Sequence, residues 1–357
     1  SGTARDGAEP YNPFVSRAFL KALEDSGCAT GKTGWLGQHL RLESADGTLL
    51  GAVPCYLKSH SQGEYVFDHG WADAFERAGG RYYPKLQVAV PFTPATGPRL
   101  LVRRNARPEA VRAALAEGLR TFTDRLGVSS VHVTFALPEE IAALEDAGFL
   151  IRADQQFHDE FLGTLASRKR KALKKERRAA LEAGIEIDWL TGSDLTEAVW
   201  DDFFAFYMDT GSRKWGRPYL NRRFFSLIGE TMAEDILLVM ARRGRRYIAG
   251  AINFIGSDAL YGRNWGCIEH HPFLHFEVCY HQAIEFAIAR SLKRVEAGAQ
   301  GEHKLARGYL PVTTCSAHYI AHAGLRRAVA DYLEHERRDV AAIGEILADH
   351  SPYRKGT

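Results

Sequence analysis

The order of predicted elements constrains the fold most, because the same order occurs twice along the 357-residue chain. One segment runs from about Tyr11 to Arg152, and the other runs from about Ile185 towards the end. Each reads as a helix, a set of antiparallel strands, a second helix and a final strand. This mixture predicts an α+β fold with mixed sheets, and the repetition predicts two tandem domains of similar architecture. The predicted boundaries are 11–152, a basic helical linker at 153–184, and a second domain at 185–350 that carries the main candidate site.

Periodicity and turn residues set the predicted elements of each segment. The first segment has predicted helices at Pro108–Leu126 and Pro138–Ala147, with strands at Gly34–Leu42, Thr48–Leu57, Tyr65–Phe67, Leu86–Val90, Val131–Phe135 and Phe149–Ile151. The second has predicted helices at Leu195–Thr210 and Phe276–Leu292, with strands at Ile236–Ala241, Tyr247–Ile255, Ala259–Trp265 and Arg294–Ala299.

Composition excludes several classes of protein. Hydrophobic residues make up 45% and charged residues 25% of the chain, which is a normal globular balance. The net charge of +2 creates no strong global attraction to nucleic acid or membrane. The five cysteines lack CxxC spacing, which argues for a reducing compartment. No apolar stretch reaches the length of a membrane span and no signal-peptide pattern is present, so we expect a cytoplasmic protein.

A strongly basic segment joins the two predicted domains. Residues 168–178 read RKRKALKKERR, with eight basic residues and one glutamate. This segment is either a solvated charged helix or a contact for phosphates, since clustered Lys and Arg attract phosphate groups. The residues predicted to bind phosphate or polyanion are Arg168, Lys169, Arg170, Lys171, Lys174 and Arg177.

The densest group of reactive side chains follows the last predicted strand of the second segment. Residues 296–311 read EAGAQGEHKLARGYLP, in which glycines and alanines separate polar residues. Glycines allow turns and close backbone approach. A carboxylate, an imidazole, an ammonium and a guanidinium grouped so tightly predict a binding or catalytic site, although a solvated loop with an internal ion pair is the alternative. The predicted site residues here are Gln300, Glu302, His303, Lys304, Arg307 and Tyr309.

Several motifs resemble one known family, the predicted bacterial N-acyltransferases of the FemAB-like group. The motifs are LYGRNWG at 260–266, LHFEVCY at 274–280, GAQGEHK with RGYLP at 298–311, GEYVFD at 63–68, YYPKL at 82–86 and PFTP at 91–94. The resemblance covers nearly the whole chain. It implies two tandem GNAT-like domains and kinship with enzymes that add amino acids from aminoacyl-tRNA to peptidoglycan precursors. The chain departs from the family where Phe157-His158 runs directly into Asp159, without a loop containing Trp-Asn-Gly-Tyr. Either the protein lacks this loop, which would make one wall of the substrate site more open, or the loop is missing from this sequence.

N-acyl transfer requires a base for the acceptor amine, donors for the carbonyl oxyanion and groups that hold the acyl donor. Glu302 or His303 is the predicted base, and Tyr309 is the predicted proton donor to the leaving group. Lys304 and Arg307 are suited to hold a carboxylate or phosphate. Further predicted substrate-binding residues are Arg263, Asn264 and Trp265 on one strand, Glu277 and Tyr280 on the next helix, and Asp68, Tyr83 and Lys85 in the first segment. The last three either line an acceptor pocket or support a domain contact.

The sequence allows more than one acyl donor, and it also allows a protein without catalytic activity. Acetyl-CoA enzymes of this fold bind pyrophosphate with a glycine-containing loop, but the matching residues 268–274 read IEHHPFL. This difference favours aminoacyl-tRNA over acyl-CoA as donor, with no tightly bound cofactor. The expected acceptor is an amine of a small molecule or of a cell-envelope precursor. A non-catalytic module that recognises peptidoglycan or a polyanion is the alternative outside enzymes. The histidines at 270, 271, 275 and 281 lack an accompanying Cys or Asp ligand set, so we predict no metal site. His318 and His322 are predicted to lie on a helix surface.

Overall fold

The structure is a computed structural model that describes the backbone of residues 10–159, 167–215, 218–296 and 309–349. Side chains are described for residues 10–153, 174–210, 218–296 and 312–337. The strands are β1 (Trp35–Gly37), β2 (Leu40–Glu43), β3 (Leu49–Val53), β4 (Cys55–Lys58), β5 (Lys85–Val88), β6 (Leu101–Val102), β7 (Ser130–Ala136), β8 (Leu150–Asp159), β9 (Ile185–Leu190), β10 (Ile236–Arg243), β11 (Arg246–Ile255), β12 (Ala259–Cys267), β13 (Arg294–Glu296) and β14 (Tyr309–Ile320).

The helices lie between these strands in an order close to the predicted one. They are α1 (Arg17–Asp25), α2 (His69–Arg77), α3 (Pro108–Leu126), α4 (Pro138–Asp146), α5 (Ser167–Leu181), α6 (Glu197–Trp215), α7 (Arg222–Met232), α8 (Leu274–Phe276), α9 (Gln282–Ala289) and α10 (Ala323–Asp349). A π-helical turn at Glu277–His281 joins α8 to α9, and we call the three together the π-containing helix.

The chain divides into two compact units that interleave along the sequence. Unit 1 is formed by Ser1–Cys28, Gln156–Val312 and Ile346–Thr357, and unit 2 by Ala29–Gln155 and Thr313–Glu345. This division differs from the predicted sequential domains at 11–152, 153–184 and 185–350. Residues of β14 pair with β7 in antiparallel register, as Ala317 does with Val133, and this long-range pairing places them in unit 2.

Unit 2 contains a mixed sheet with the strand order β1-β4-β5-β7-β14. Its one parallel pair is β5 with β7, and the helix α3 lies between these strands in the chain. The ends of α3 agree with the prediction because Pro108 starts the helix and Gly127 ends it in the left-handed region at φ 64°. Strands β2, β3 and β6 form a separate small sheet.

Unit 1 contains the strand order β13-β12-β11-β10-β9, in which only β12 and β13 run parallel. Both faces of this sheet are buried. Leu237 and Val239 of β10 pack in one core with Val278 of the π-containing helix. On the other side, α6 approaches β12 so closely that a Cβ atom at Gly266 would lie 2.0 Å from the carbonyl oxygen of Phe206. Burial on both faces explains the continuous apolar run in β10.

Two predicted elements are wrong, and others differ in extent. Residues 65–67 form no strand, because Gly63 and Tyr65 adopt positive φ angles of 86° and 59° and bend the chain. His318 lies in a strand rather than on a helix, since β14 pairs with β7 at His132. The predicted strand at 149–151 continues to Asp159, and of the strand predicted at 294–299 the residues after 296 lie outside the described part.

Candidate active site

The parallel strands of unit 1 pair over only a short distance. Three residues of β12, Ala259 to Tyr261, pair with the three residues of β13. Beyond Tyr261, β12 continues to Cys267 and pairs with β11, while the described part of β13 has ended. Residues 297–308, which follow β13, lie outside the described part of the chain, so the described pairing between these two strands ends at Tyr261.

A β-bulge lies on the part of β12 beyond Tyr261. Trp265 pairs with Ala251 and Gly262 with Asn253, so Arg263 and Asn264 together face one residue of β11. Bulges re-aim side chains and are frequent beside active sites. The Arg263 guanidinium lies 4.6 Å from the centre of the Phe14 ring, and all three predicted residues of this strand are half-buried. The structure thus brings the predicted residues Arg263, Asn264 and Trp265 together at the bulge of β12.

The π-containing helix holds a buried carboxylate. Glu277 is fully buried in the π turn and accepts two hydrogen bonds from Arg177, at 2.9 and 2.8 Å, and one from Gln282 at 2.7 Å. Arg177 also contacts Glu285 at 2.5 Å. Burial alone would lower the pKa of Arg177, but its hydrogen bonds to both glutamates raise it above the ordinary value. Because π turns often occur at functional sites, this one supports a site in unit 1.

This ion pair changes the interpretation of the basic segment. Residues 167–181 do form a helix, α5, but its Arg177 is engaged by two carboxylates within unit 1. Lys174 is exposed and remains a candidate phosphate contact. The side chains of Arg168, Lys169, Arg170 and Lys171 lie outside the described part of the chain.

A cavity of about 270 Å³ lies where β12 leads into the π-containing helix. We call it the ring-lined cavity, and its lining residues are Thr210, Trp265, Cys267, Glu269, His270, His271, Leu274 and His275. The loop at 268–271 supplies three of these side chains, so the glycine-free segment that differs from a pyrophosphate loop helps to form a pocket. Tyr280 is buried beside it, with its ring centre 5.6 Å from that of His275.

The predicted residues of unit 2 belong to a buried set of charges. We call Lys58, Glu64, Asp68 and Lys85 the lysine cluster. Lys85 Nζ lies 2.6 Å from Asp68 Oδ2, 3.3 Å from Glu64 Oε1 and 2.7 Å from the Ser61 hydroxyl. Lys58 Nζ lies 3.6 Å from Glu64 Oε2. All four residues are almost fully buried.

Burial and neighbouring charges shift the pKa values in this cluster. Burial alone would raise the pKa of Asp68, but Lys85 and His132 hold it below the usual range. Burial lowers the pKa of Lys58 to about 7. Burial and Lys85 lower the pKa of His132 to about 3, and His132 lies 2.7 Å from His318 between their Nδ1 atoms.

These contacts favour a supporting role for Asp68 and Lys85, because the two form a buried ion pair inside unit 2; within the described residues, Asp68 Oδ1 has no hydrogen-bond partner. Tyr83 is half-buried and donates to Ser61 at 2.8 Å. Sequence reasoning did not single out Lys58 or His132 as members of the same network. A lysine within the apolar strand CYLK at 55–58 was the one local signal.

The predicted catalytic group lies outside the described side chains. Gln300, Glu302, His303, Lys304 and Arg307 fall in 297–308, and the side chain of Tyr309 is also outside the described part. Their roles stay predictions. Within the described residues, no group of three or more His, Cys, Asp or Glu side chains is placed to hold a metal ion. In that same part of the chain, no helix is long and apolar enough to span a membrane.

The mixed sheets define an α+β fold, and solved structures share it. FemX is 11% identical with a TM-score of 0.54, covering 89% of this chain and 94% of its own. L-PGS from Bacillus licheniformis is 10% identical with a TM-score of 0.54, covering 88% and 94%. The C-terminal domain of a putative lysylphosphatidylglycerol synthetase from Agrobacterium fabrum is 11% identical with a TM-score of 0.54, covering 87% and 96%.

The sequence comparison identifies the family. The profile of the FemAB-like family, described as peptidoglycan biosynthesis/recognition, matches residues 4–355. The chain belongs to this FemAB-like family, which confirms the resemblance seen in its motifs. Membership of this family indicates an acyltransferase. No curated protein sequence matches the chain.

Proposed function

We propose that the protein transfers an aminoacyl group from aminoacyl-tRNA to an amine of a peptidoglycan or other cell-envelope precursor. The observation that carries this proposal is the bulge of β12 at Arg263 and Asn264, next to the half-buried Trp265. A bulge re-aims side chains, and polar side chains placed there can orient the carbonyl of a donor. The family description and the name FemX support the same class of reaction.

The proposed groups account for each bond and each proton transfer in the reaction. The acceptor amine attacks the ester carbonyl of the donor, an amide bond forms, and the ester bond to the ribose oxygen breaks. One proton leaves the amine and one is delivered to the departing oxygen. We assign the first transfer to Glu302 or His303 and the second to Tyr309. Connectivity keeps Glu302 within about 20 Å of Glu296, the last residue of β13, since six residues can span no more.

The donor preference follows from the loop after β12. It contains no glycine between Ile268 and Leu274, whereas close approach of a pyrophosphate to a backbone generally uses glycine. This favours aminoacyl-tRNA over acyl-CoA and requires no tightly bound cofactor. The exposed Lys174 of α5 is then a candidate contact for RNA phosphate. A cytoplasmic location, where charged tRNA is available, remains part of the proposal.

The test is a turnover assay in which purified protein receives a charged-tRNA pool or acyl-CoA together with cell-envelope precursors. We expect amide formation from charged tRNA, with Glu302→Gln or His303→Ala lowering the rate about 100-fold or more. The adjacent exposed residues Glu334 and His335 on α10 repeat the same residue pair, so Glu334→Gln and His335→Ala are matched controls.

Each alternative has its own outcome in this assay. Turnover with acyl-CoA alone would show that the donor is acyl-CoA and not aminoacyl-tRNA. Ligand binding without turnover with any donor would support a non-catalytic recognition module. Full activity in folded Glu302→Gln and His303→Ala proteins would refute the proposed site.

A further inference from the structure

Apart from Trp265, a predicted substrate-binding residue, the residues that line the ring-lined cavity have no role in the proposed acyl-transfer step. The side chains of Trp265, His270, His271 and His275 contribute four flat rings to its wall. The rings of Trp265 and His275 have centres 5.3 Å apart and planes 67° apart, so they form a corner. Flat heterocycles stack on such rings, and nucleic-acid bases are the commonest ligands of this kind.

Two polar residues belong to the same wall. Thr210 is one of them, but its hydroxyl oxygen is buried beneath the cavity surface. The Glu269 carboxylate is the other, and it pairs with Arg243 at 2.9 Å, so its charge does not exclude an anionic ligand.

A basic hairpin lies beside the cavity. The turn between β10 and β11 exposes Arg243, Arg245 and Arg246. The amide of Ile268 donates to the carbonyl of Ile248 at 2.9 Å, which holds the cavity loop next to β11. Guanidinium groups bind phosphate well, so the rim of the cavity offers a phosphate contact next to a stacking surface.

We propose that the ring-lined cavity binds an adenine nucleotide, with the base against Trp265 and His275 and the phosphate on Arg245 of the basic hairpin. The ring corner and the basic hairpin together favour a ligand that has both a flat base and a phosphate group. The choice of adenine rests on the proposed function, because both aminoacyl-tRNA and coenzyme A carry an adenosine. A volume of about 270 Å³ accommodates a base and leaves the phosphate at the rim.

The test is calorimetric titration of the intact protein with AMP and with adenosine. We expect saturable AMP binding, weakened about tenfold by Trp265→Ala or His275→Ala and largely retained by Trp265→Phe, which keeps a ring. Arg245→Ala should weaken AMP but leave adenosine binding unchanged, because adenosine has no phosphate. Arg327→Ala, an exposed arginine of α10, is the matched control.

The wild-type titration keeps the proposal falsifiable even if a cavity variant fails to fold. Absence of saturable AMP binding by the wild-type protein at millimolar concentration overturns the proposal, as does equal binding by folded Trp265→Ala and wild-type proteins. Coenzyme A and a short RNA hairpin ending in CCA then distinguish the two sources of adenosine. AMP binding without aminoacyl transfer would refute the proposed function and support the nucleotide site. Aminoacyl transfer without AMP binding would refute only the nucleotide site.

Discussion

Replacing Lys85 with methionine tests whether the lysine cluster of unit 2 is a charged network. Methionine keeps most of the side-chain volume and removes the ammonium group. Lys85 Nζ is the closest cation to two buried carboxylates, at 2.6 Å from Asp68 and 3.3 Å from Glu64. Without it, Glu64 retains Lys58 at 3.6 Å, and Asp68 retains a hydrogen bond from Tyr82 at 2.7 Å.

The burial of the lysine cluster sets the expected loss of unfolding free energy in Lys85→Met. Removing one partner of a buried ion pair costs about 3–5 kcal/mol, because a charge is left uncompensated away from water. The remaining contacts of Glu64 and Asp68 place the expected loss at the lower end, about 3 kcal/mol. The exposed pair of Lys21 and Asp25 has the same 2.6 Å separation but lies at the surface, so Lys21→Met should cost only about 0.5 kcal/mol or less.

The effect has a defined pH dependence. In the wild-type protein the pKa of Asp68 is depressed, so its stabilising contribution is present above the unfolded value of about 3.9 and is lost as the pH falls through the lower folded value. In the variant, burial without Lys85 raises the pKa of Asp68, and the folded state takes up a proton as the pH falls. The difference in unfolding free energy between the two proteins should therefore be largest near pH 7 and should narrow towards pH 4.

The assay is urea unfolding at pH 4 to 7, with hydrogen exchange measured by mass spectrometry for peptides that cover β5 and β7. This readout reports the stability of unit 2 separately from that of unit 1. A loss below about 1 kcal/mol at pH 7, or a loss that does not change with pH, would refute a charged cluster held by Lys85.

Two further predictions concern unit 1. Arg177→Met should lower the unfolding free energy of unit 1 by about 2 kcal/mol. The loss is smaller than for a fully buried pair, because the Arg177 side chain is 32% exposed while Glu277 is buried. Thermal unfolding measures this loss. Gly266→Ala should destabilise by roughly 3 kcal/mol or more, since the new Cβ would lie 2.0 Å from the carbonyl oxygen of Phe206; soluble yield and melting temperature report this.

Matched controls separate these effects from general damage. Arg178→Met changes the exposed neighbouring arginine of α5 and should leave stability nearly unchanged. Gly70→Ala introduces a Cβ with no heavy atom within 4 Å, in helix α2, and should be neutral or slightly stabilising. An Arg177→Met protein as stable as Arg178→Met would contradict the importance of the ion pair. A Gly266→Ala protein that melts with the wild type would contradict the close approach of α6 to β12.

Local patterns predicted much of the fold. The bounds of α3 were predicted in full because proline, glycine and a helical apolar spacing all occur within the segment. The hairpin of β10 and β11 was predicted from two apolar runs around a short basic turn. Of the candidate site, the grouping of Arg263, Asn264 and Trp265 followed from their positions on one strand, but the bulge required knowledge of the pairing partner.

The sequence by itself determined the class of elements, their approximate bounds, the family and the presence of polar residues at the strand ends. These features depend on neighbours a few residues apart, whose spacing is visible in the chain. Tertiary structure alone decided that β14 pairs with β7, that Arg177 binds Glu277 across 100 positions, and that Lys85 lies among buried carboxylates. Such contacts depend on which distant segments exclude water together, and no local periodicity encodes that choice.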